Sequence, residues 1–502
     1  MAESYAIPEP LAFGAAGRVG VIDIGSNSVR LVVYDAAIRL PVVLFNEKAL
    51  CGLGRRMAST GRLDADGVSQ ALDTLRRFAV LLRAMEVDEI EIVATAAVRD
   101  AENGRDFVEQ ARRAIGQPIR ILSGQEEARL SALGVAAGIP EARGIVGDLG
   151  GGSLELIEIS GADQGRRVTV PLGPLMLADR SGGDLRRAKA LIDEAVTAID
   201  WLPEQRGRTL YAVGGVWRAL SRIEMALTDY PLHILHQYAM DKAAVRALCQ
   251  RISRMSRKSL ERLPGVSRKR LDTIPYGALV LDRVVRAMGA ERVVVSAFGL
   301  REGVLYDHMP ESLRAEHPLL AACRLMAARL GRFPDHADEL LHWSAPIFPD
   351  ETSARRRMRE AACHISDIGW RIHPDYRAEH SMEEILRSPL VGLDHAERAM
   401  LALTVYVRYQ APPRPEAVGW LDRLMDPERT NWAHVMGYAL RLAHTLSGAA
   451  PGVLDGCALA LEGQELVLRL TGRCRDLASD EVLRRLDALG RALGRRTRLA
   501  SG

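Results

Sequence analysis

At 502 residues, the chain is too long for a single hydrophobic core, and its length predicts roughly three domains. Its 48% hydrophobic and 26% charged residues are typical of a soluble globular protein, and a net charge of +3 argues neither for nor against binding to nucleic acid. No apolar stretch reaches the ~18 residues that a membrane-spanning helix needs, so no span is predicted. The six cysteines are scattered without a Cys-x-x-Cys pair, which predicts reduced thiols in a cytoplasmic protein.

The first part of the chain alternates predicted strands with predicted helices. Residues 1–16 lack the basic and apolar segments of a signal peptide, so we expect a flexible tail. Apolar runs separated by turns predict three strands over residues 19–49. Apolar spacing then predicts a helix over 64–85, a strand over 89–94, a helix over 104–115 and a strand over 119–122. Ser123 can cap the helix that follows, and the whole pattern is of the α/β class.

The same alternation restarts at residue 144, so the two halves resemble a structural repeat. The predicted elements are strands at 144–147, 154–159 and 168–172, a helix at 185–201, a strand at 209–213, a helix at 219–225 and a strand at 293–295. From about residue 309 the pattern becomes almost entirely helical, with a possible strand pair near 457–470. The basic stretch 251–270 lacks interleaved aromatic residues, which favours a solvated helix face over a nucleic-acid patch, and the stretch could also line a path for a polyanion.

Two glycine-rich loops follow the first strand of each half. One reads Asp23-Ile24-Gly25-Ser26-Asn27-Ser28 and the other Asp148-Leu149-Gly150-Gly151-Gly152-Ser153. Glycine lets backbone N–H groups approach an anion closely, and serine and asparagine side chains add further donors. A single loop of this kind is a weak signal. Two loops of the form Asp-x-Gly-[Ser/Gly]-x-Ser predict duplicated subdomains that close on one phosphate-bearing ligand.

Three acids beside these loops are candidate metal ligands. Asp23, Asp148 and Glu155 can hold a hard cation such as Mg²⁺, which binds through one or two carboxylates together with waters and substrate phosphates. Asp148 could instead be a turn residue that bonds its own backbone. Glu155 could instead be a strand residue that faces the solvent.

Water as the phosphoryl acceptor requires a carboxylate that orients and deprotonates it. Glu126 and Glu127 begin a predicted helix directly after a strand, although such a pair could also be a cap favoured by the helix dipole. Arg99 could clamp a phosphate oxygen or form a surface salt bridge. Trp217 and Arg218, after the Gly-Gly turn at 214–215, could help to bind an anion or could simply pack.

At these residues the chain resembles the exopolyphosphatase and guanosine pentaphosphate phosphatase family, a branch of the fold shared by actin, sugar kinases and heat-shock ATPases. The resemblance covers residues ~17 to ~308 in the right order. The shared motifs are Asp23-x-Gly-Ser-Asn-Ser28, Ala94-Thr95-x-x-x-Arg99, Ile121-Leu122-Ser123-Gly124-Gln125-Glu126-Glu127-Ala128-Arg129, Asp148-x-Gly-Gly-Gly-Ser-x-Glu155, Gly214-Gly215 and Leu300-Arg301-Glu302-Gly303-Val304-Leu305-Tyr306. It implies two duplicated actin-like ATPase (ribonuclease H-like) subdomains, over residues 17–135 and 136–308.

The resemblance also implies roles for individual residues. Glu127 would be the catalytic base that activates water. Asp148 and Glu155 would bind the divalent metal, Mg²⁺ or Mn²⁺, with Asp23 nearby. The implied phosphate-binding residues are Ser26, Asn27, Ser28, Arg99, Gly151, Gly152 and Ser153.

Long family members carry a C-terminal helical module related to HD-type phosphohydrolases, and residues 309–502 look like it. Ser366-Asp367 stands where the His-Asp dyad would be, so the metal-binding histidine is missing from that position. We therefore expect a non-catalytic module that extends a polyanion channel or builds a homodimer. Arg355, Arg356 and Arg357 could contact such a channel or lie on a solvated helix face.

The expected activity is metal-dependent release of orthophosphate from the end of inorganic polyphosphate. The same chemistry on guanosine pentaphosphate (pppGpp) is the alternative, and guanosine tetra- or pentaphosphate could also regulate the enzyme. An ATP-binding kinase or chaperone of the same fold fits the segment 125–129 poorly. A non-enzymatic nucleotide sensor is disfavoured because acids stand at every expected position. We expect neither a nucleic-acid partner nor a membrane span.

Overall fold

The computed structural model describes residues 17–36, 38–263 and 268–501, so the predicted tail over 1–16 lies outside the described residues. The chain forms two compact units. The first unit comprises residues 17–229 and 235–316, and the second comprises residues 230–234 and 317–501. In the described part of the chain, the structure contains no helix with the length and apolarity needed to cross a bilayer.

The first sheet of unit one has the strand order β3-β2-β1-β4-β5. Its strands are β1 (Val19–Ile24), β2 (Val29–Tyr34), β3 (Val43–Ala49), β4 (Glu89–Ala94) and β5 (Arg120–Ile121). The central strand β1 runs antiparallel to β2 and parallel to β4, and it is buried along nearly all its length. The three strands predicted over residues 19–49 are confirmed.

The helices of the first half differ in how far they are buried. They are α1 (Met57–Thr60), α2 (Ala65–Ala84), α3 (Ala96–Asp100), α4 (Gly104–Ile115) and α5 (Gly124–Gly138). Helix α2 begins where Asp64 accepts a hydrogen bond from the Gly67 amide, and it buries Leu75 and Phe78 completely. The helix predicted over 64–85 is thereby confirmed.

The second sheet of unit one has the strand order β10-β11-β9-β6-β7-β8. Its strands are β6 (Arg143–Leu149), β7 (Leu154–Ser160), β8 (Asp163–Val170), β9 (Thr209–Val213), β10 (Ala239–Asp241) and β11 (Arg292–Val295). Five of these strands repeat the order of the first sheet, which confirms the predicted duplication. The predicted bounds 168–172 were wrong for β8, because a tight turn with Gly161 at φ 63° lets the strand start at Asp163.

The helices of the second half are α6 (Pro174–Ser181), α7 (Leu185–Thr197), α8 (Gly215–Leu227), α9 (Lys242–Ser253), α10 (Arg257–Glu261), α11 (Ile274–Met288), α12 (Leu300–His308) and α13 (Glu311–Ala315). The predicted helix 185–201 ends early, at Thr197. Helix α8 begins earlier than the predicted residue 219. Gly214, at φ 108°, turns the chain directly from β9 into the helix, so no linker separates them.

Helices α5 and α12 pack with their backbones in close approach. A Cβ atom added to Gly303 would lie 1.7 Å from the Leu130 carbonyl oxygen, and one added to Gly134 would lie 2.0 Å from the Gly299 carbonyl oxygen. No side chain larger than hydrogen fits at either position without a shift of the helices. This contact fixes the position of α5, which carries Glu127, within unit one.

Unit two is mostly helical. Its helices are α14 (Pro318–Leu330), α15 (His336–Ser344), α16 (Ser353–Ile365), α17 (Arg377–Arg387), α18 (His395–Tyr409), α19 (Pro415–Val418), α20 (Pro427–Ser447) and α21 (Asp480–Leu493). Its strands are β12 (Cys457–Glu462), β13 (Glu465–Leu470) and β14 (Arg496–Ser501), in the order β12-β13-β14. The predicted strand pair is confirmed. The pattern missed β14 because the strand is arginine-rich, and it becomes a strand by pairing in parallel with the largely buried β13.

Ser366 and Asp367 occupy the position expected for a His-Asp dyad. The Ser366 hydroxyl lies 2.9 Å from Nε2 of His444, and both residues are buried. Asp367 pairs with Arg332 at 3.1 Å and with Arg408 at 2.9 Å, so its carboxylate is already neutralised by two cations. In the same unit Arg355 pairs with Glu428 at 2.8 Å. The relation of this unit to HD-type proteins stays a prediction.

Candidate active site

The two glycine-rich loops form the same hairpin turn. In each, the glycine two residues after the aspartate donates its amide hydrogen to the serine carbonyl three residues later, at 3.0 Å for Gly25 to Ser28 and 3.0 Å for Gly150 to Ser153. Because residues directly opposite each other share one face of a sheet, the registers place comparable rows of side chains in the two halves. The row in the first half is Asp23, Arg30 and Lys48, and the row in the second is Asp148, Glu155 and Thr169.

Both loops line one cleft of about 350 Å³ within unit one. Nine of the predicted site residues line this cleft. They are Asp23, Ser26, Asn27, Ser28, Glu127, Asp148, Gly151, Gly152 and Ser153. Glu155 stands beside Asp148 in the register and is only 1% exposed. The structure therefore brings the residues of both halves together, as the repeated loops predict.

Asp148 and Glu155 form a buried acidic pair. Burial raises the pKa of Asp148 and raises the pKa of Glu155 well above its usual range, and the nearby Glu127 raises that of Glu155 further. Among the described residues, neither carboxylate oxygen of Glu155 has a hydrogen-bond partner. A buried carboxylate without partners is costly, and a divalent cation would satisfy it. The pair therefore fits a metal such as Mg²⁺.

The site does not resemble a cage built from protein ligands alone. The described residues contain no group of three or more His, Cys, Asp or Glu side chains placed to hold a metal ion. Mg²⁺ commonly keeps several waters and binds through one or two carboxylates and substrate phosphates. Asp148 and Glu155 therefore fit the coordination of Mg²⁺ better than that of a structural zinc ion, which takes four protein ligands.

Asp23 differs from the other two acids because it already faces a cation. Its Oδ2 lies 3.3 Å from Nη1 of Arg301, a residue that is only 9% exposed. Burial raises the pKa of Asp23, and Arg301 acts in the opposite direction. The predicted role of Asp23 as a metal ligand stays a prediction, and Arg301 competes for the same carboxylate.

The structure separates the two neighbouring glutamates. Glu126 forms a capping box with Ser123, in which each residue bonds the other's backbone amide at the start of α5. Glu127 instead faces the cleft and is 7% exposed. Burial raises the pKa of Glu127 to about 8, helped by the nearby Asp148. Glu126 is thus the capping residue, and the role of Glu127 as the base stays a prediction.

Arg99 contacts the candidate base. Its Nη1 donates to Oε2 of Glu127 at 3.2 Å and to the Leu122 carbonyl at 3.2 Å, and its Nε donates to Asp100 at 2.9 Å. In the described part of the chain it stands outside the residues that line the cleft. The contact orients the Glu127 carboxylate, and a direct phosphate contact from Arg99 stays a prediction.

The cleft also contains cations, of which Arg218 was predicted as a possible anion ligand and Arg270 lies in the stretch 251–270 that could line a polyanion path. They are Arg30, Lys48, Arg218, Arg222, Arg270 and Arg301. Burial, together with the nearby Arg270, lowers the pKa of Lys48 to about 8. Trp217 packs, donating from its indole nitrogen to the Gly277 carbonyl at 3.1 Å, whereas Arg218 reaches the cleft. Trp217 therefore packs, and an anion contact from Arg218 stays a prediction.

Comparison with known proteins supplies the family. Residues 15–312 match the model of the Ppx/GppA phosphatase family, and residues 319–500 match the model of the exopolyphosphatase C-terminal domain. The chain belongs to the Ppx/GppA phosphatase family. Exopolyphosphatase 1 of Mycobacterium tuberculosis is 31% identical over 304 residues, which span 57% of this chain and 87% of that protein.

Solved structures of the Ppx/GppA family share the fold. A family member from Aquifex aeolicus superposes with a TM-score of 0.51 at 25% identity, over 60% of this chain and 99% of that one. An exopolyphosphatase from Cytophaga hutchinsonii gives a TM-score of 0.53 at 23% identity, over 58% and 96%, and supports the fold alone. The chain is therefore a phosphatase, a hydrolase, with the actin-like ATPase fold.

The raised pKa of Glu127 predicts a pH-dependent stability in the presence of a chelator. An acid with a pKa near 4.5 when unfolded and about 8 when folded holds its proton more tightly in the folded state. The unfolding free energy therefore falls as pH rises from about 4.5 to about 8. Denaturant unfolding in EDTA should show that wild type loses stability relative to Glu127→Gln over this window. If the difference in unfolding free energy between wild type and Glu127→Gln does not change with pH, the raised pKa assigned to Glu127 is contradicted.

Proposed function

We propose that this phosphatase removes the terminal phosphate of inorganic polyphosphate and releases orthophosphate. The observation that carries the proposal is one cleft that combines a buried candidate base, a set of cations and Asp148, which stands opposite the buried Glu155 in the sheet. A linear polyanion needs cations along its length and a metal with a base at its reacting end. The printed name of the Mycobacterium tuberculosis relative, exopolyphosphatase, agrees with that substrate.

The proposed reaction is a displacement at phosphorus by water. Phosphoryl transfer needs the phosphate held, its charge neutralised and the attacking oxygen aligned. Backbone amides of the two loops, with Ser26, Asn27 and Ser153, hold the terminal group. The Glu127 carboxylate accepts a proton from the attacking water, and Arg99 keeps that carboxylate in place.

Asp148 and Glu155 are the residues that would hold Mg²⁺ or Mn²⁺. A bound divalent cation would supply charge stabilisation to the phosphate oxygens. Arg301 and Arg218, which line the same cleft, add positive charge there. The bond between the terminal phosphorus and the bridging oxygen breaks, and that oxygen leaves with the bonding electron pair as a new negative charge on the end of the shortened chain. A phosphate oxygen is stable with that charge, so the reaction needs no strong acid at the leaving group.

Orthophosphate release with Mg²⁺ tests the proposal. We would compare long-chain polyphosphate with guanosine pentaphosphate at equal concentrations of reacting ends. Rapid release from polyphosphate is expected, with a product pattern in which chains shorten from their ends. Release from the nucleotide alone would replace the proposed substrate with the second one. Release from neither would overturn the assigned function.

Metal binding is expected to release protons. Because Glu127 has a pKa of about 8 and that of Glu155 is also raised, part of the acidic set is protonated at neutral pH in the metal-free protein. A divalent cation must displace those protons, so Mn²⁺ should bind more tightly at pH 8 than at pH 6. Titration calorimetry in two buffers of different ionisation enthalpy measures the protons released. Zero release at pH 7 would contradict the expected coupling.

A further inference from the structure

Ser131 is a buried side chain that the proposed reaction does not yet use. It lies on α5 one helical turn after Glu127, so both residues share one face of the helix. Its side chain is 0% exposed, and its hydroxyl donates to Oδ2 of Asp148 at 2.5 Å. One helix thus delivers a candidate base to the cleft and a donor to a candidate metal ligand.

Buried helical hydroxyls usually satisfy themselves within their own helix. Ser221 on α8 donates to the Trp217 carbonyl at 3.0 Å, and Thr404 on α18 donates to the Met400 carbonyl at 2.8 Å. The Ser131 hydroxyl instead leaves its helix and bonds the end of β6. A serine that only needed a hydrogen-bond partner could bond a carbonyl of its own helix. The Ser131 hydroxyl bonds the Asp148 carboxylate instead.

The contact limits how the Asp148 carboxylate can rotate. Oδ2 is held by Ser131 and lies near the start of α12, since a Cβ atom on Gly299 would lie 3.9 Å from it. Asp148 also lines the cleft, so its carboxylate is held by α5 at the place where it meets the cleft. The glycine contacts between α5 and α12 hold the donor at its place, because Gly134 stands three residues beyond Ser131 on the same helix.

We propose that Ser131 is a positioning residue that fixes Asp148 for metal binding and ties it to the helix that carries Glu127. This inference rests on the proposed function, in which Asp148 and Glu155 hold the divalent cation. Groups that orient a metal ligand typically contribute 10–100-fold to metal affinity, so we expect about that loss when the hydroxyl is removed.

Mn²⁺ binding to the metal-free full-length protein, followed by electron paramagnetic resonance, tests this role without activity. Ser131→Ala is expected to raise the Kd for Mn²⁺ by about 10–100-fold. Ser221→Ala removes a buried helical hydroxyl that bonds only backbone, and we expect it to leave the Kd within about twofold of wild type. An unchanged Kd in Ser131→Ala would overturn the proposal.

A second pair of variants separates the hydroxyl from packing. Ser131→Thr and Ser131→Val have nearly the same shape, but only threonine keeps the donor. The valine variant should bind Mn²⁺ about tenfold or more weaker than the threonine variant, and saturating Mn²⁺ should recover much of its hydrolysis rate. Equal Kd values for the two would overturn the proposal even if Ser131→Ala fails to fold. If wild type hydrolyses neither substrate, the proposed function fails, whereas these Kd values still decide the role of Ser131.

Discussion

Replacing Glu127 by glutamine is expected to lower the rate of orthophosphate release by about 10²–10⁴-fold, the usual contribution of a general base. The amide keeps the shape of the side chain but cannot accept the proton of the attacking water. Glu127 contacts Arg99, whereas the other two acids that line the cleft, Asp23 and Asp148, contact Arg301 and Ser131. The steady-state rate at saturating polyphosphate and Mg²⁺ measures the loss.

Glu126→Gln is the matched control for that experiment. Glu126 is the adjacent residue on the same helix, but its carboxylate bonds Ser123 at the helix start and faces the solvent. The change should cost a few tenths of a kcal/mol in cap stability and leave the rate near that of wild type. A Glu127→Gln rate within about tenfold of wild type would contradict the assignment of Glu127 as the base.

Replacing Gly303 by alanine is expected to lower the unfolding free energy by about 3 kcal/mol or more. The added Cβ would lie 1.7 Å from the Leu130 carbonyl oxygen, and that oxygen belongs to a helix backbone that cannot simply rotate away. Alanine favours helix over glycine by about 1 kcal/mol, so a loss of stability can come only from the forced separation of α5 and α12. Denaturant unfolding measures the change, and activity should fall with it because α5 carries Glu127.

Gly419→Ala controls for the chemical change itself. Gly419 has helical dihedral angles, and no atom lies within 4 Å of the position its Cβ would take. The same added methyl group should there be neutral or stabilise the protein by up to about 1 kcal/mol. Equal effects of the two substitutions would show that the helices tolerate separation.

The sequence predicted the parts of the site that depend on local pattern. The two loops follow apolar strands and share the pattern Asp-x-Gly-[Ser/Gly]-x-Ser, so the hairpins and the shared cleft follow from the residues alone. Glu127 could be inferred as the base only through the resemblance, because spacing alone does not distinguish it from Glu126. The fold separates the two, since a capping box uses the third residue of the helix and directs the fourth elsewhere.

The missed cations depend on long-range topology. Lys48 reaches the cleft because β3 pairs with β2 and places it opposite Arg30, which itself stands opposite Asp23. Arg222, which the sequence did not single out, and Arg270, from the stretch 251–270 predicted as a possible polyanion path, come from distant segments that meet only when the second sheet and its helices assemble. The sequence contained one sign of the charged cleft, since the repeat aligns Arg30 with Glu155. A position that carries opposite charges in the two halves of a repeat is a candidate for function.

That aligned position also determines what kind of ion the cleft favours. The first half presents an acid followed by two cations across its strands, and the second presents two acids followed by a threonine. A phosphate without a metal would be attracted by the two cations of the first half and repelled by the two acids of the second. A cation without phosphate would be attracted by the second half and repelled by the first. A phosphate that carries its own divalent cation matches both halves at once. A duplicated backbone with reversed charge at one position would thereby favour an ion pair over either ion alone.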